Sequence, residues 1–269
     1  MSHWTEELFK ENPELFLGSF NMDSVPGEVD YLLECLEKHD LKLDRLLDLN
    51  CGIGRHSVEM GKRGYNLVGT DISPRYIQIA GERAKEAGVS DRLSYRVADM
   101  RNIAGELAGE SPFDGIICLW TSFGFYDDDT EEDILRQCYR LVKSGGFFAL
   151  DIVSRDWLLP NLGETSHRPV GDYFVLEDHK LDILKSRMIN TWTYLRKDDD
   201  GNYQQVKSVV VDHRLWSPHE LINLFAKVGF MCDAVYPGFS PYSTPRPVES
   251  MRTREFMLNF RLLYIFRKP

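Results

Sequence analysis

Short apolar runs alternate with amphipathic segments over residues 29–152, and this alternation predicts the elements of the first half of the chain. Between the runs, apolar side chains recur at helical spacing, as at Ile134, Cys138 and Leu141. The runs themselves predict strands over residues 45–50, 66–71, 93–97, 113–119 and 147–152. Strands and helices that alternate in this way are typical of β-α-β units around a parallel sheet.

The pattern changes after residue 152. Residues 153–172 mix prolines, glycines and polar residues, and no regular element is predicted there. Residues 173–194 and 203–216 carry extended patterns joined by an acidic turn that ends in Gly201-Asn202, which predicts a β-hairpin. A further helix and two strands, over residues 231–236 and 262–266, complete the predicted elements.

Capping residues mark the ends of several predicted helices. Ser73, followed by a first-turn proline, predicts the start of one helix, and Thr130 predicts the start of the next. Gly145 and Gly146 predict the end of that second helix. Ser217 opens a capping box before the last helix.

The net charge limits the partners. The chain has 32 Lys and Arg against 42 Asp and Glu, a formal charge of −10, and its basic residues form no cluster. Such a balance repels phosphate backbones, so nucleic acid is disfavoured as a partner and a small molecule or another protein is favoured.

The five cysteines contain no C-x-x-C pair, so neither a disulfide framework nor a structural zinc site is predicted. No spacing of His, Cys and Glu predicts any other metal. A reducing, cytoplasmic location fits this cysteine usage. The first residues lack the basic and apolar regions of a signal peptide, and the longest apolar runs are strand-sized, so we expect no membrane span.

Candidate chemistry is concentrated in residues 46–57. An apolar strand runs into a loop that contains Gly52 and Gly54 and then into a helix, which lets a ligand approach the backbone beside the helix N-terminus. The next apolar strand ends at Asp71, a position suited to accepting hydrogen bonds from both hydroxyls of a ribose. These signals together predict a nucleoside cofactor at the carboxyl ends of a parallel sheet.

Two residues favour a cofactor other than a dinucleotide. A dinucleotide fingerprint has a third small residue, usually Gly or Ala, where this chain has Ser57. Asp48 lies in the strand just before the loop, and an anionic group there suits an ammonium-bearing ligand better than a diphosphate. An NAD-dependent oxidoreductase stays open as an alternative because it would use the same glycines.

The run Asp48-Leu49-Asn50-Cys51-Gly52-Ile53-Gly54 resembles the first motif of the class I S-adenosylmethionine-dependent methyltransferases. The resemblance continues at Asp71, at Ala98-Asp99-Met100, and at residues 113–117 and 141–147, and it covers residues 30–152. The family usually has glycine where this chain has Asn50. Asparagine tolerates left-handed backbone angles, so we expect the turn to survive.

The resemblance implies S-adenosyl-L-methionine as cofactor and S-adenosyl-L-homocysteine as product. It implies that Gly52 and Gly54 lie beside the amino-acid end of the cofactor, that Asp71 binds the ribose, and that Asp99 and Met100 lie at the adenine. The predicted cofactor-binding residues are Asp48, Asn50, Gly52, Gly54, Arg55, His56, Asp71, Ile72, Asp99, Met100 and Leu119.

The fold class that follows is α/β, with a Rossmann-like, seven-stranded, mostly parallel sheet, helices on both faces, and an antiparallel β-hairpin inserted as a lid after strand 5. We predict a single methyltransferase domain over residues 1–269. It comprises an N-terminal cover (1–27), a cofactor-binding core (28–152), the hairpin insert (153–216), and a closing helix with the last two strands (217–269). Trp4, Phe9, Leu15 and Phe16 predict a helix with an apolar face in the cover.

Methyl transfer from a sulfonium is an in-line displacement in which positioning is the main catalytic device. A general base is needed only if the acceptor arrives protonated. Family members form the acceptor side of the site after the fourth strand, where Trp120, Ser122, Phe123 and Tyr126 are candidates. His213, Arg214 and Tyr242, in the insert and near the end of the chain, are further candidates.

The resulting hypothesis is a methyltransferase that moves a methyl group to nitrogen or oxygen of a small-molecule acceptor. The acidic charge favours neutral or basic acceptors. A non-catalytic cofactor-binding or protein-interaction module on the same fold stays open, as does methylation of RNA or protein. The oligomeric state is open between monomer and homodimer.

Overall fold

The computed structural model describes residues 2–239, 245–251, 256 and 258–269, and it is built around a seven-stranded sheet. In order across this central sheet, the strands are β10 (Met231–Pro237), β11 (Arg261–Arg267), β5 (Val142–Val153), β4 (Phe113–Cys118), β1 (Leu46–Leu49), β2 (Leu67–Asp71) and β3 (Leu93–Val97). β11 runs antiparallel to β10 and β5, and the other pairings are parallel. The predicted seven-stranded, mostly parallel sheet is confirmed.

Helices cover both faces of the central sheet. The helices of the described residues are α1 (Glu14–Leu17), α2 (Val25–Glu37), α3 (Arg55–Lys62), α4 (Pro74–Glu86), α5 (Ile103–Glu106), α6 (Asp128–Leu141), α7 (Arg155–Asn161) and α8 (Pro218–Val228), with a π-helix at Glu6–Glu11 and 3₁₀ turns at Met100–Asn102 and Val248–Ser250. One apolar cluster joins α6 and α8 to Ile116, and a second joins α2 and α3 to Ile117. Neighbouring side chains of a strand point to opposite faces, so the two clusters lie on opposite sides of the sheet, as predicted.

The helix boundaries agree with the predictions at two starts and differ at a third. Ser73 caps α4 by accepting a hydrogen bond from the backbone nitrogen of Tyr76, and Ser217 forms the predicted capping box of α8. The prediction that Thr130 caps α6 is wrong. Asp127 occupies that position, and its side chain accepts a hydrogen bond from the backbone nitrogen of Thr130.

The prediction that Gly145 and Gly146 end α6 is also wrong. α6 ends at Leu141, and both glycines lie inside β5. A Cβ on Gly146 would lie 2.5 Å from the carbonyl oxygen of Asp114 in β4. This glycine therefore allows two neighbouring strands to approach closely rather than ending a helix.

The insert after β5 is antiparallel, as predicted, but it has four strands rather than two. Its strands are β6 (Thr165–Val170), β7 (Tyr173–Asp182), β8 (Arg187–Lys197) and β9 (Tyr203–Arg214), and we call this four-stranded sheet the lid. The extended run predicted over residues 173–194 is broken by a turn in which Leu184 is 99% exposed. Ile183 and Leu184 are apolar and continue the strand-like pattern of the sequence, so periodicity alone does not predict this turn.

The N-terminal cover packs against the inner face of the lid. The π-helix and α1 occupy the cover in place of the single helix that the sequence predicts. Trp4 and Leu15 share an apolar cluster with Tyr194 of the lid. A Cβ on Gly18 would lie 2.2 Å from the backbone nitrogen of Gly171, so cover and lid meet backbone to backbone.

Candidate active site

A cavity of about 310 Å³ lies at the carboxyl ends of β1, β2 and β4, between the N-terminal cover and the lid. We call the part beside the loops after β1, β2 and β3 the sheet end, and the part beside β8 and β9 the lid end. The central sheet and its loops contribute Asp48, Asn50, Cys51, Gly52, Arg55, His56, Asp71, Ile72, Tyr76, Asp99, Met100, Leu119, Trp120, Thr121 and Ser122. The remaining wall comes from Trp4, Thr5, Phe9, Phe16, Phe20, Phe125, Tyr126, Val153, Leu158, Met188, Asn190, Trp192, Val211, His213 and Phe260.

The loop between β1 and α3 has a left-handed backbone at three positions. The φ angle is 58° at Asn50, 55° at Gly52 and 69° at Gly54. The side-chain amide of Asn50 donates to the carbonyl oxygen of Ser122 at 2.9 Å and to Sδ of Met100 at 3.0 Å. Asn50 therefore adopts the left-handed conformation that the turn requires, and its side chain hydrogen-bonds this loop to the segments that follow β3 and β4.

Gly52 lies in the cavity wall, whereas Gly54 does not. A Cβ on Gly54 would lie 2.9 Å from Cβ of Ala80 and 2.8 Å from Oη of Tyr95. The contact of Gly54 with the cofactor, which the family resemblance implies, stays a prediction. In the structure, Gly54 lets α3 pack closely against α4 and β3.

Two buried carboxylates lie at the sheet end. Oδ1 of Asp71 accepts a hydrogen bond from the backbone nitrogen of Ser73, and Oδ2 accepts one from that of Gly52, each at 2.9 Å. Burial raises the pKa of Asp71 to about 6. Burial also raises the pKa of Asp48 to about 7, and its Oδ2 has no hydrogen-bond partner within the described part of the chain. The backbone donors orient the Asp71 carboxylate, and each of its oxygens keeps a lone pair for a ligand.

Three more of the predicted cofactor residues, Ile72, Asp99 and Met100, line the sheet end, and Leu119, which follows β4, also lines the cavity. Burial alone would raise the pKa of Asp99, but hydrogen bonds from Arg101 lower it. Asp99 also caps the 3₁₀ turn that begins at Met100. Met100 and Leu119 are buried and present an apolar surface to the cavity.

Arg55 and His56 begin α3, and both line the cavity, but their partners differ. Nε2 of His56 lies 2.7 Å from Oε2 of Glu28. Arg55 donates through Nη1 to the carbonyl oxygen of Asn21 at 2.7 Å, and no carboxylate among the described residues lies within 4.0 Å of its nitrogens. Burial lowers the pKa of Arg55 to about 10, so the side chain still carries its charge at pH 7.

Trp120 and Thr121 form a left-handed turn directly after β4, with φ angles of 60° and 59°. Each non-glycine residue in this conformation costs roughly 1–2 kcal/mol. Asp151 holds the turn, because its Oδ2 accepts from the backbone nitrogen of Trp120 at 3.0 Å and its carbonyl oxygen accepts from that of Thr121 at 2.9 Å. The Trp120 ring contacts the guanidinium groups of Arg55 and Arg261, at 4.3 and 4.9 Å from the ring centroid.

Ser122, Tyr126 and His213, three further acceptor candidates, also line the cavity. Oη of Tyr126 lies 3.3 Å from Oγ1 of Thr5. Burial, together with the nearby charge of Arg187, lowers the pKa of His213 to about 4. The imidazole is therefore neutral at pH 7.

Phe123 and Arg214, two further acceptor candidates, are not part of the cavity wall. The ring of Phe123 is fully buried in the core, beside Trp216 and Phe225. The guanidinium of Arg214 is held by Asp128 and Glu220, each at 3.1 Å, at the base of the lid. Tyr242, the last acceptor candidate, lies outside the described residues.

The sequence does not single out β8, although this strand lines the lid end. Met188, Asn190 and Trp192 alternate along β8 and so point together into the cavity. Oδ1 of Asn190 lies 2.9 Å from Nδ1 of His179 on the neighbouring strand. The period of two is visible in the sequence, but no local signal shows which face of the strand borders a cavity.

Comparisons with known proteins agree with this fold. Residues 46–146 match a family model described as a methyltransferase domain. The chain is 32% identical over 224 residues to a ubiquinone biosynthesis O-methyltransferase of Xanthomonas oryzae pv. oryzae, which covers 79% of this chain and 83% of that protein. It is 30% identical over 134 residues to a glycine/sarcosine N-methyltransferase of Parasynechococcus marenigrum, covering 49% and 45%. A solved S-adenosylmethionine-dependent methyltransferase from Clostridium acetobutylicum matches with a TM-score of 0.72 at 16% identity, covering 99% of this chain and 96% of that one.

The fold and the sheet end define a Rossmann-like enzyme with a nucleoside cofactor. The chain belongs to the class I S-adenosylmethionine-dependent methyltransferases. The residues present fit that cofactor, because Gly52, which has no side chain, and a carboxylate oxygen of Asp48 without a hydrogen-bond partner among the described residues lie together in the cavity wall. Among the described residues, no group of three or more His, Cys, Asp or Glu is arranged to hold a metal ion. In the same residues, no helix has the length and apolarity needed to cross a membrane.

Proposed function

We propose that the protein transfers a methyl group from S-adenosyl-L-methionine to an oxygen or nitrogen atom of a small molecule bound at the lid end of the cavity. The observation that carries this proposal is that one cavity is enclosed by the central sheet, the N-terminal cover and the lid. Its two ends differ in chemistry. An enclosed space favours a small acceptor over RNA or protein, which need an open groove.

The sheet end is suited to the cofactor. When bound, the cofactor supplies a methyl group activated by a sulfonium. Asp71 is placed to accept hydrogen bonds from the ribose hydroxyls, and Met100 and Leu119 to contact the adenine. Asn50 and Gly52 border the amino-acid chain, and the Trp120 ring also lines the cavity.

The lid end is suited to an acceptor with an apolar body. Trp4, Phe9, Phe125 and Trp192 contribute aromatic rings, and those of Trp4 and Phe125 pack edge to face at 5.0 Å. Its polar atoms belong to Thr5, Tyr126, Asn190 and His213. No Lys or Arg of the described residues lines this end, so a neutral or cationic acceptor fits better than an anionic one. Aromatic faces also attract positive charge that develops on a methylated nitrogen.

His213 and Tyr126 are placed to orient the acceptor. A neutral imidazole can accept a hydrogen bond from an acceptor hydroxyl or ammonium, and the hydroxyl of Tyr126 can donate or accept one. In-line transfer gains most from holding the nucleophile close to the methyl carbon. The names of the two relatives, an O-methyltransferase and an N-methyltransferase, support oxygen or nitrogen as the methylated atom.

The test combines binding with turnover. Isothermal titration with S-adenosyl-L-homocysteine is expected to show one site per chain, and release of this product is then measured with panels of small phenols, primary and secondary amines, and tRNA. Activity with members of the small-molecule panels supports the proposal. Absence of binding up to millimolar ligand, or turnover with tRNA alone, would contradict it.

A further inference from the structure

Glu131 is a fully buried carboxylate in the first turn of α6. It belongs to the acidic run of residues 127–133, of which Asp133 is exposed. No Lys, Arg or His nitrogen of the described residues lies within 4.0 Å of its oxygens, and Oε2 has no hydrogen-bond partner among them. Burial raises the pKa of Glu131 to about 7. A buried carboxylate without a cation is costly, so this position indicates a role that an apolar side chain could not fill.

The donors that Glu131 binds belong to the loop between β4 and α6. Its Oε1 accepts hydrogen bonds from the backbone nitrogens of Gly124 at 3.0 Å and Tyr126 at 2.9 Å. We call residues 123–127 the wall loop, because Phe125 and Tyr126 line the cavity, whereas Glu131 itself does not. Hydrogen bonds to an ionised carboxylate are stronger than those to a neutral acceptor. One side chain therefore fixes the backbone on both sides of Phe125.

The lid binds the carbonyl groups of the same two residues. The carbonyl oxygen of Gly124 accepts from the backbone nitrogen of Arg214 at 2.7 Å, and that of Tyr126 accepts from Nη1 of Arg187 at 2.8 Å. A Cβ on Gly124 would lie 2.8 Å from the carbonyl oxygen of Arg214, so the wall loop and the lid are in close contact. The wall loop is thus held between Glu131 and the lid, and its displacement would change the shape of the lid end.

The segment that precedes the wall loop has separate anchors. Asp151 holds the left-handed turn directly after β4, and the side chain of Asn50 donates to the carbonyl oxygen of Ser122. Neither contact involves Glu131. A change at Glu131 is therefore expected to displace the wall loop and to leave the sheet end of the cavity in place.

On the basis of the proposed function, we infer that Glu131 is a positioning residue for the methyl acceptor, because it holds the wall loop so that Phe125 and Tyr126 contact the acceptor. Glu131 touches neither the acceptor nor the cofactor and acts only through the backbone of the wall loop. Methyl transfer depends on close placement of the nucleophile. Loss of the carboxylate is thus expected to weaken acceptor binding and to spare cofactor binding.

The test compares Glu131→Gln and Glu131→Leu with Asp133→Asn, which removes a carboxylate from an exposed position of the same helix. KM and kcat are measured with the panel phenol or amine that the wild-type protein methylates fastest, and titration measures the affinity for S-adenosyl-L-homocysteine. We expect Glu131→Gln to raise KM about 3- to 10-fold, since the amide oxygen still accepts hydrogen bonds but carries no charge. Glu131→Leu leaves both backbone donors without an acceptor, so we expect a rise of about 10- to 100-fold. The affinity for S-adenosyl-L-homocysteine is expected to change less than about 2-fold in every variant, and Asp133→Asn is expected to keep the wild-type KM.

A purely structural role would give a different result. Loss of folded protein lowers kcat and the number of S-adenosyl-L-homocysteine sites in proportion and leaves KM unchanged. That result would overturn the inference and leave the proposed function intact, as would parallel weakening of S-adenosyl-L-homocysteine or an equal rise in KM for Asp133→Asn. Glu131→Gln alone decides the question if Glu131→Leu does not fold. A wild-type protein that methylates no member of the panels would overturn both the inference and the proposed function.

Discussion

The central sheet and the lid are both β-structures, but they bury their residues differently. All six residues of β4 are buried, whereas β7 has one buried residue among ten. The sequence of a strand that is covered by helices on both faces is a continuous apolar run. The sequence of a strand with one exposed face alternates between apolar and polar residues. The cavity therefore lies between a largely buried sheet, beside which we propose that the cofactor binds, and a half-solvated sheet, beside which we propose that the acceptor binds.

The lid is attached to the rest of the molecule through a few specific contacts. Arg187 donates to the carbonyl oxygen of Tyr126 at 2.8 Å, and Nε1 of Trp4 donates to that of Asp212 at 3.0 Å. The backbone nitrogen of Arg214 donates to the carbonyl oxygen of Gly124 at 2.7 Å. These contacts connect the lid to the acceptor side of the cavity, while the ladder of the central sheet does not depend on them.

The largest expected difference between the two regions concerns buried and exposed ion pairs. Arg261→Met leaves Asp151 buried in the central sheet without its cation, which is expected to lower the free energy of unfolding by about 3–5 kcal/mol. Arg168→Met breaks a pair in the lid whose Arg side chain is 36% exposed, and we expect a loss below about 1 kcal/mol. Urea denaturation of both variants measures the two values. Equal losses would contradict the contrast between the sheets.

A second difference is the response of the lid to pH. Burial lowers the pKa of His213 to about 4, below its ordinary value of 6.5, so the unfolded chain binds more protons than the folded one between these values. Stability from this group is present above pH 6.5 and is lost as the pH falls toward 4, by roughly 2 kcal/mol between pH 7 and pH 5. Asp48, whose pKa is raised to about 7, changes stability with pH in the opposite direction. The free energy of unfolding of the wild-type protein alone therefore does not report on His213.

The informative quantity is therefore the difference between variants. His213→Gln is expected to remove this part of the pH dependence, and urea denaturation at pH 5, 6 and 7 measures it. His167→Gln, at an exposed position of β6, is the matched control and is expected to leave the wild-type dependence unchanged. A pH dependence that is identical in wild type and His213→Gln would show that His213 is not buried as a neutral group.

The two regions also differ in how much the sequence predicts. Asp71 and Gly52 both line the cavity because a strand, a glycine loop and a strand-end acid are local signals that the parallel sheet brings together. Phe123 lies in the core. An aromatic residue after β4 can point to the core or to the cavity, and its direction depends on the left-handed turn at Trp120 and Thr121. That turn is held by Asp151, which is distant in sequence, so no local pattern contains it.

In the lid, too, local sequence does not predict that Asn190 lines the cavity. Asn190 is the one polar side chain that β8 presents to the cavity, and its neighbour His179 belongs to another strand. An asparagine in a β-prone run is weakly informative by itself. Its importance follows only from the pairing of β7 with β8, which sets residue 190 opposite residue 179.

The smallest expected effect tests whether the lid selects the acceptor without contributing to cofactor binding. Oδ1 of Asn190 is engaged by His179, so its amide nitrogen is the group left to donate to an oxygen of the acceptor. Asn190→Leu keeps the size of the side chain and is expected to raise KM for the acceptor about 10-fold, the value of one hydrogen bond, with unchanged affinity for S-adenosyl-L-homocysteine. Thr191→Ala, at the next position along β8 and therefore on the opposite face, is the matched control and is expected to change neither value. An equal rise in KM for both variants would indicate a general loosening of the lid, and weaker binding of S-adenosyl-L-homocysteine to Asn190→Leu would show that the lid also belongs to the cofactor site.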